Sequence, residues 1–316
     1  MFNKKISNKL KEIIKEKNGK NYIVLDCDNT ILMNDIQFAT THYILKNMLF
    51  TISIDELRNK LLPRFSSQKR EIEKFINLYS KTFNKELTSL EVLEFQANYE
   101  YMIRMLYIEY KVDITFIMLS DKDISEILEI TKRAISYHKG LNFDIEEFKY
   151  NNNKSNFKTG LSISMEMKSL IKSMYENNID IYVVSASATI IVEEVLKPIS
   201  KYITKIYGMT LEIENDKFTG FFDSNAIQPM GKEKVKTIDK YIYPLYNKDP
   251  LIVAGDSMGD EAMLTNYKDT KLSLLIDRNR TDDFKKLIDK ENDRYMVQRV
   301  DEYQGIFIEG DKSLTI

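Results

Sequence analysis

The chain has little that would tie it to a membrane, a nucleic acid or an oxidising compartment. Its 316 residues contain one cysteine, Cys27. That excludes an internal disulfide and a multi-cysteine zinc site, and suits a reducing compartment. Neither sign of charge is in excess: 46 Lys and Arg stand against 48 Asp and Glu, a net charge of -2. Bulk attraction to nucleic acid or to an anionic surface is thereby removed, so any anion site must be local. No apolar run approaches the roughly 20 residues that span a bilayer. The amino end, "MFNKKISNKLKEIIKEKNGK", has basic residues but no apolar core of signal-peptide length. A cytoplasmic chain with no nucleic-acid, membrane or protein partner is expected. Repeats and low-complexity segments are also missing, and the length predicts one large domain or two unequal ones.

What is present is a set of short apolar runs that end in small or acidic residues. "YIVLD" (22–26), "IDIYVVSAS" (179–187), "PLIVAGD" (250–256) and "KLSLLID" (271–277) read as buried parallel strands. Helical patterns alternate with the later ones, which predicts an α/β fold with a Rossmann-like, doubly wound parallel sheet. Ligands in such sheets sit at the carboxyl ends of the strands. Residues 36–160 are far too long for a crossover connection and read as an inserted helical cap, with the core made of 1–35 and 161–316. "SIDE" (53–56) and "TSLE" (88–91) fit capping boxes, and "EVLEFQANYEYMIRMLYIEY" carries a broad apolar face. The dense Tyr and Phe of this segment read mainly as packing, with a minority facing a ligand. "YGMTLEIENDKFTGFFD" (207–223) alternates like a hairpin around Asn215 and Asp216, and "RYMVQRV" (294–300) reads as an edge strand. Ile6, Leu10, Ile13 and Ile14 recur at helical spacing and predict an amphipathic helix packed on the domain.

The first strand raises a chemical question, because it ends in Asp26 and Asp28 followed by Asn29 and Thr30. Like charges this close in a partly dry place repel one another, and burial adds to the cost. A cation, or two distinct jobs for two acids, would resolve it. The later strand ends and helix starts bring Ser185, Lys232, Asp256 and Asp260 to the same edge. Carboxylates with a backbone carbonyl suit Mg²⁺, a hard cation with oxygen ligands. Asp26 can then attack phosphorus to form an aspartyl-phosphate, while Asp28 protonates the leaving oxygen and later takes a proton from water. Ser185 and the amides after it, beginning with Ala186, supply donors to phosphate oxygens, and Lys232 supplies a positive charge. Cys27, between the two acids, reads as a small buried residue rather than a nucleophile.

At these residues the chain resembles the haloacid dehalogenase-like hydrolase superfamily and its phosphoserine-phosphatase-like group: "DCDNT" matches the first motif, Ser185 in "VVSAS" the second, Lys232 the third and "GDSMGD" the fourth. Softer patterns, "GLSISMEMKSLIKSMYENNIDIYVVSASAT", "GMTLEIENDKFTG" and "SLLIDR", are most similar to the phosphorylcholine-phosphatase-like branch. The resemblance implies Asp26 as nucleophile and Asp28 as acid and base, with Asp28 also giving its carbonyl to Mg²⁺. It implies Asp256 as the other protein ligand, Asp260 beside a metal-bound water, and Asn29 and Thr30 shaping the loop and touching phosphate. The cap lies where the family's helical caps do but is about twice as long as that of phosphoserine phosphatases.

A Mg²⁺-dependent phosphatase of a small phosphorylated metabolite is therefore expected. A phosphoserine phosphatase or a phosphomutase-type phosphotransferase is the enzymatic alternative, and a binding protein on the same fold the non-enzymatic one. Asp35, nine residues after the nucleophile, stands where phosphoserine phosphatases hold a glutamate that receives the substrate's amino group. It reads either as a headgroup carboxylate, favouring choline or ethanolamine phosphate, or as a helix cap.

Overall fold

The structure, a computed structural model, describes residues 2–279 and 281–316. An amphipathic helix, α1 (Lys4–Glu16), is capped by the Asn3 side chain and buries Ile6, Leu10 and Ile13 against the domain. It leads into β1 (Asn21–Leu25), every residue of which is buried, as befits a central strand covered on both faces. A tight loop over 27–31 then turns into the short β2 (Leu32–Met33).

Six helices follow: α2 (Ile36–Lys46), α3 (Ile54–Leu61), α4 (Lys69–Ser80), α5 (Leu90–Tyr110), α6 (Ile114–Met118) and α7 (Ile124–Lys139). Ser53 caps α3 by accepting from Glu56 N–H at 3.2 Å. In "TSLE" the cap is Ser89, which accepts from Val92 N–H at 3.3 Å, one residue later than the capping-box spacing predicts. The segment is not wholly helical. It closes with a hairpin of β3 (Ile145–Tyr150) and β4 (Asn153–Lys158), turned at Asn151 with φ of 51°. The short β5 (Ser162–Ile163) pairs antiparallel with β2, and the Asn34 amide donates to the carbonyls of Thr159 and Gly160 at 2.7 and 2.9 Å, so entry and exit of the segment are tied together.

The remaining elements are α8 (Met165–Glu176), β6 (Ile179–Ala188), α9 (Thr189–Leu196), β7 (Lys205–Met209), a hairpin of β8 (Leu211–Glu214) and β9 (Lys217–Phe222), α10 (Glu233–Tyr241), β10 (Ile252–Gly255), α11 (Glu261–Asn266), β11 (Leu272–Asp277), α12 (Asp282–Ile288), β12 (Tyr295–Asp301) and β13 (Ile306–Ile308). The central sheet runs β13-β12-β11-β10-β1-β6-β7, parallel throughout except for the β12–β13 pair. The 207–223 hairpin forms with Asn215 and Asp216 at its turn, both at positive φ. The strand expected over 294–300 is internal, because β13 pairs on its outer side.

One hydrophobic core runs from the sheet, through Ile23, Leu25 and Ile181, into Phe75, Phe95 and Leu106 of the inserted helices. There Phe50, Phe75, Tyr79, Phe95 and Tyr99 pack with centroids 5.2–6.2 Å apart, so most of the aromatic density is structural. No helix among the described residues is long and apolar enough to cross a membrane.

Candidate active site

The carboxyl ends of β1, β6 and β10 lie side by side, and the residues that follow them converge. Asp26 and Asp28 come from β1, Ser185 to Ala188 from the end of β6, and Asp256 and Asp260 from the turn after β10. All are buried. Gly255 is required here because a Cβ on it would lie 2.5 Å from the Asp260 Cβ. Asn29 takes a left-handed φ of 59°, which lets the loop fold over the strand end with its N–H donating to Asn34 O at 3.1 Å.

The cation among these acids is Lys234, not Lys232. Lys232 is exposed at the start of α10, whereas Lys234, two residues on, points inward and is 2 % exposed. Its Nζ lies 2.6 Å from Asp26 Oδ1 and 2.5 Å from Asp260 Oδ1. Of the three lysines of "GKEKVK", Lys232 is the N-cap of α10 and Lys234 and Lys236 stand on it, and the rotation of this short helix about its axis decides that Lys234 enters. Burial opposes the charge on Lys234, but Asp26 and Asp260 outweigh it and hold the ammonium above the usual lysine range. Asp26 is pushed well above the ordinary carboxylate range, chiefly by burial and then by the charge of Asp260, with Lys234 acting against both.

Asp28 faces away from Lys234's ion pairs. Its Oδ1 accepts the Ile36 N–H at 2.7 Å, and its Oδ2 accepts the hydroxyls of Ser187 at 2.7 Å and Ser185 at 3.3 Å. Burial raises its pKa against the opposing pull of these donors. The Cys27 thiol, pushed up by burial and by Asp28, is an inert core group.

The acids open into a cavity of about 340 Å³ whose walls include Asp26, Asp28, Asn29, Ala186, Ser187, Lys234, Asp256 and Asp260. Ser185 and Thr30 are fully buried behind this wall, Thr30 donating to Asp26 Oδ2 at 3.2 Å, so Ser187 rather than Ser185 carries the hydroxyl at the cavity surface. On the far side stand Asp35, Gln37, Phe38, Arg104, Tyr107, Asp113 and Met230. Asp35 caps α2, accepting from Phe38 N–H at 2.9 Å, and also lines the cavity. Gln37 donates to Asp113 at 2.9 Å and accepts from Ala188 N–H at 3.1 Å, bridging the inserted segment to the start of α9. Gln37, Arg104 and Asp113 belong to no local pattern in the sequence, whereas Ser187 stands in "VVSAS" two residues after Ser185. Lys234 left a signal, as the middle lysine of three spaced two apart.

One carboxylate oxygen from each of Asp26, Asp256 and Asp260 lies within 4.8 Å of the others, an all-oxygen donor set. Four buried carboxyls, Asp26, Asp28, Asp256 and Asp260, face one buried ammonium, so a divalent cation would relieve their repulsion. Asp260 is already engaged through both oxygens, by Lys234 and by the N–H groups of Asp256 and Ser257, each at 3.2 Å.

Residues 128–265 match the haloacid dehalogenase-like hydrolase family. That span takes in Ser185, Lys234, Asp256 and Asp260, and the sheet adds Asp26 and Asp28 from the segment before it. A mouse (Mus musculus) 7-methylguanosine phosphate-specific 5′-nucleotidase is 26 % identical over 156 residues, 47 % of this chain and 47 % of that protein. The chain thus spans about half the length of the curated relative it matches. A solved structure of a protein of unknown function from Anaerococcus prevotii DSM 20548 shares the fold over 99 % of this chain and 96 % of its own, with a TM-score of 0.81 and 24 % identity. Residues 128–265 are thus similar to haloacid dehalogenase-like hydrolases, and they carry the β6 and β10 strand ends of the site.

Proposed function

We propose that the protein hydrolyses small phosphomonoesters through an aspartyl-phosphate on Asp26, with residues 36–160 acting as the cap that selects the substrate. The supporting observation is the buried set of Asp26, Asp28, Asp256 and Asp260 around Lys234 at one end of the cavity. Asp26 Oδ1 accepts from the Lys234 ammonium at 2.6 Å and Oδ2 from the Thr30 hydroxyl at 3.2 Å, so Oδ2 is the less tightly held and is assigned as the attacking oxygen. As the new Oδ2–P bond forms and the P–O bond to the leaving group breaks, Asp28 passes its proton to the departing oxygen and an alcohol leaves. Asp28, now a carboxylate, takes a proton from water as that water attacks phosphorus. The Asp26–P bond breaks, inorganic phosphate leaves, and both acids return to their starting states. Lys234 neutralises charge on the nucleophile side throughout. Asp26, Asp256 and the main-chain carbonyl of Asp28 would hold Mg²⁺, supported by Asp260. When bound, the ion supplies charge neutralisation and orientation for the transferring phosphoryl group.

Two carboxylates, Asp35 and Asp113, stand on the cavity's far wall with the rings of Phe38 and Tyr107. Acidic groups beside aromatic faces favour a cationic leaving group. Choline or ethanolamine phosphate fits this, as does the positively charged base of a 7-methylated guanosine monophosphate, the substrate class in the mouse relative's name. Arg104 lines the same cavity, but its exposed guanidinium is already paired with Glu100 at 2.5 and 2.8 Å, which disfavours a substrate that also carries a carboxylate, such as phosphoserine.

Phosphate release from phosphocholine, phosphoethanolamine, phosphoserine, 7-methylguanosine monophosphate and glycerol phosphate, with and without Mg²⁺, tests the proposal. Release from none of them, or turnover within tenfold of wild type in Asp26→Asn, would refute it. Isomer formation without free phosphate would indicate a phosphomutase.

A further inference from the structure

The second serine of "VVSAS" has no assigned role, yet its hydroxyl makes the shortest side-chain contact to Asp28. Ser187 Oγ lies 2.7 Å from Asp28 Oδ2, is 4 % exposed, and lines the cavity. Resting on the proposed reaction, we infer that Ser187 is a positioning residue that aims Asp28 Oδ2 at the leaving-group oxygen.

The geometry of the three donors supports this. Oδ1 is held by the Ile36 N–H at 2.7 Å, and a main-chain N–H can only donate, so Oδ1 remains an acceptor whatever the state of the acid. The transferable proton therefore belongs on Oδ2, which faces only hydroxyls, Ser187 at 2.7 Å and Ser185 at 3.3 Å. A hydroxyl donates to a carboxylate and accepts from a carboxylic acid by rotating its own hydrogen. Ser187 is thus a partner in both halves of the cycle without any movement of Asp28. Ser185 is the weaker of the two, with a longer bond and no place on the cavity surface, and its oxygen also accepts the Ser187 N–H at 3.1 Å.

The backbone holds Ser187 in place. β6 and β7 lose register between Val184 and Ala188, and the chain bulges there. Gly208 of β7 packs so close that a Cβ on it would lie 2.6 Å from the Ser187 carbonyl oxygen. The bulge re-aims the Ser187 side chain toward Asp28, as bulges beside active sites commonly do.

The experiment measures kcat/KM for 4-nitrophenyl phosphate, phenyl phosphate and glycerol phosphate in wild type, Ser187→Ala, Ser187→Cys, Ser187→Thr and Asp26→Asn, with Mg²⁺ present. A misaimed acid hurts poor leaving groups most. In Ser187→Ala the loss should be roughly tenfold greater on glycerol phosphate than on 4-nitrophenyl phosphate, and Ser187→Thr, which retains the hydroxyl, should restore the wild-type slope. If Ser187→Ala does not fold, Ser187→Cys takes its place, with the same steepening expected. An equal loss on all three substrates, or a slope that threonine does not restore, overturns the role of Ser187 alone. Turnover persisting in Asp26→Asn overturns the reaction itself.

Discussion

Replacing Lys234 with methionine keeps most of the side chain's bulk and removes its charge, so the change isolates the electrostatics of the site. Nζ is 2.6 Å from Asp26 Oδ1 and 2.5 Å from Asp260 Oδ1, and the residue is 2 % exposed, so solvent screens neither pair. Breaking a buried ion pair from one side costs roughly 3–5 kcal/mol, because the partner is left charged in a dry place. Here two partners are left, beside Asp28 and Asp256. Proton uptake by Asp26, already pushed upward by burial, caps the loss within that range. Lys234→Met should therefore lose about 3–5 kcal/mol in urea unfolding with chelator present, and part of that should return with Mg²⁺. Loss of one preorganised positive group should lower kcat by about 10²–10³-fold. Lys232→Met, at an exposed position, is the control and should stay within about 0.5 kcal/mol of wild type. A cost below about 1 kcal/mol for Lys234→Met, or equal effects of the two substitutions, would refute the assignment of the buried cation.

Chelation should silence phosphate release and Mg²⁺ should restore it, while Ca²⁺ inhibits because its larger, looser coordination sphere misplaces the attacking oxygen. Full activity in excess chelator would exclude the metal role. His42 and His138, the only two histidines, are buried with ring nitrogens 3.1 Å apart, and His42 also faces Glu146 at 3.1 Å. Burial holds them down to about 4 and about 3, respectively. The unfolded chain protonates near 6.5 while the folded chain does not, so their contribution is complete above that pH and is lost as pH falls from about 6.5 toward 4. The loss should reach about 3 kcal/mol for His42 alone. Urea unfolding at pH 7.5 and 5.5 checks this, and a His138→Met variant with an equally steep dependence would contradict it. Asp35→Asn should shrink the preference for phosphocholine over glycerol phosphate by roughly tenfold in kcat/KM, the loss expected of a partly exposed ion pair. An unchanged ratio would show that Asp35 only caps its helix.

The strands were legible from local chemistry. Runs such as "YIVLD" and "PLIVAGD" are buried on both faces, so their apolar content needs no partner to be recognised, and the acids at their ends follow directly. The β3–β4 hairpin was not legible, because only Phe148, Ser155 and Phe157 of it are buried and its largely polar sequence shows almost no apolar alternation. The choice between Thr88 and Ser89 as a cap also lay outside the pattern, since both are good caps and only packing sets where the helix begins. The sequence by itself determined the class of fold, the two acids on the first strand and the acids of "GDSMGD", because each is set by residues adjacent in the chain. Tertiary structure alone decided that Lys234 and not Lys232 is the buried cation, that Ser187 and not Ser185 reaches the cavity, and that Gln37, Arg104 and Asp113 complete its far wall. The physical reason is the same in each case. Which of two similar side chains points inward depends on the rotation of a helix or a bulge in a strand, and those are set by packing between elements far apart in the chain.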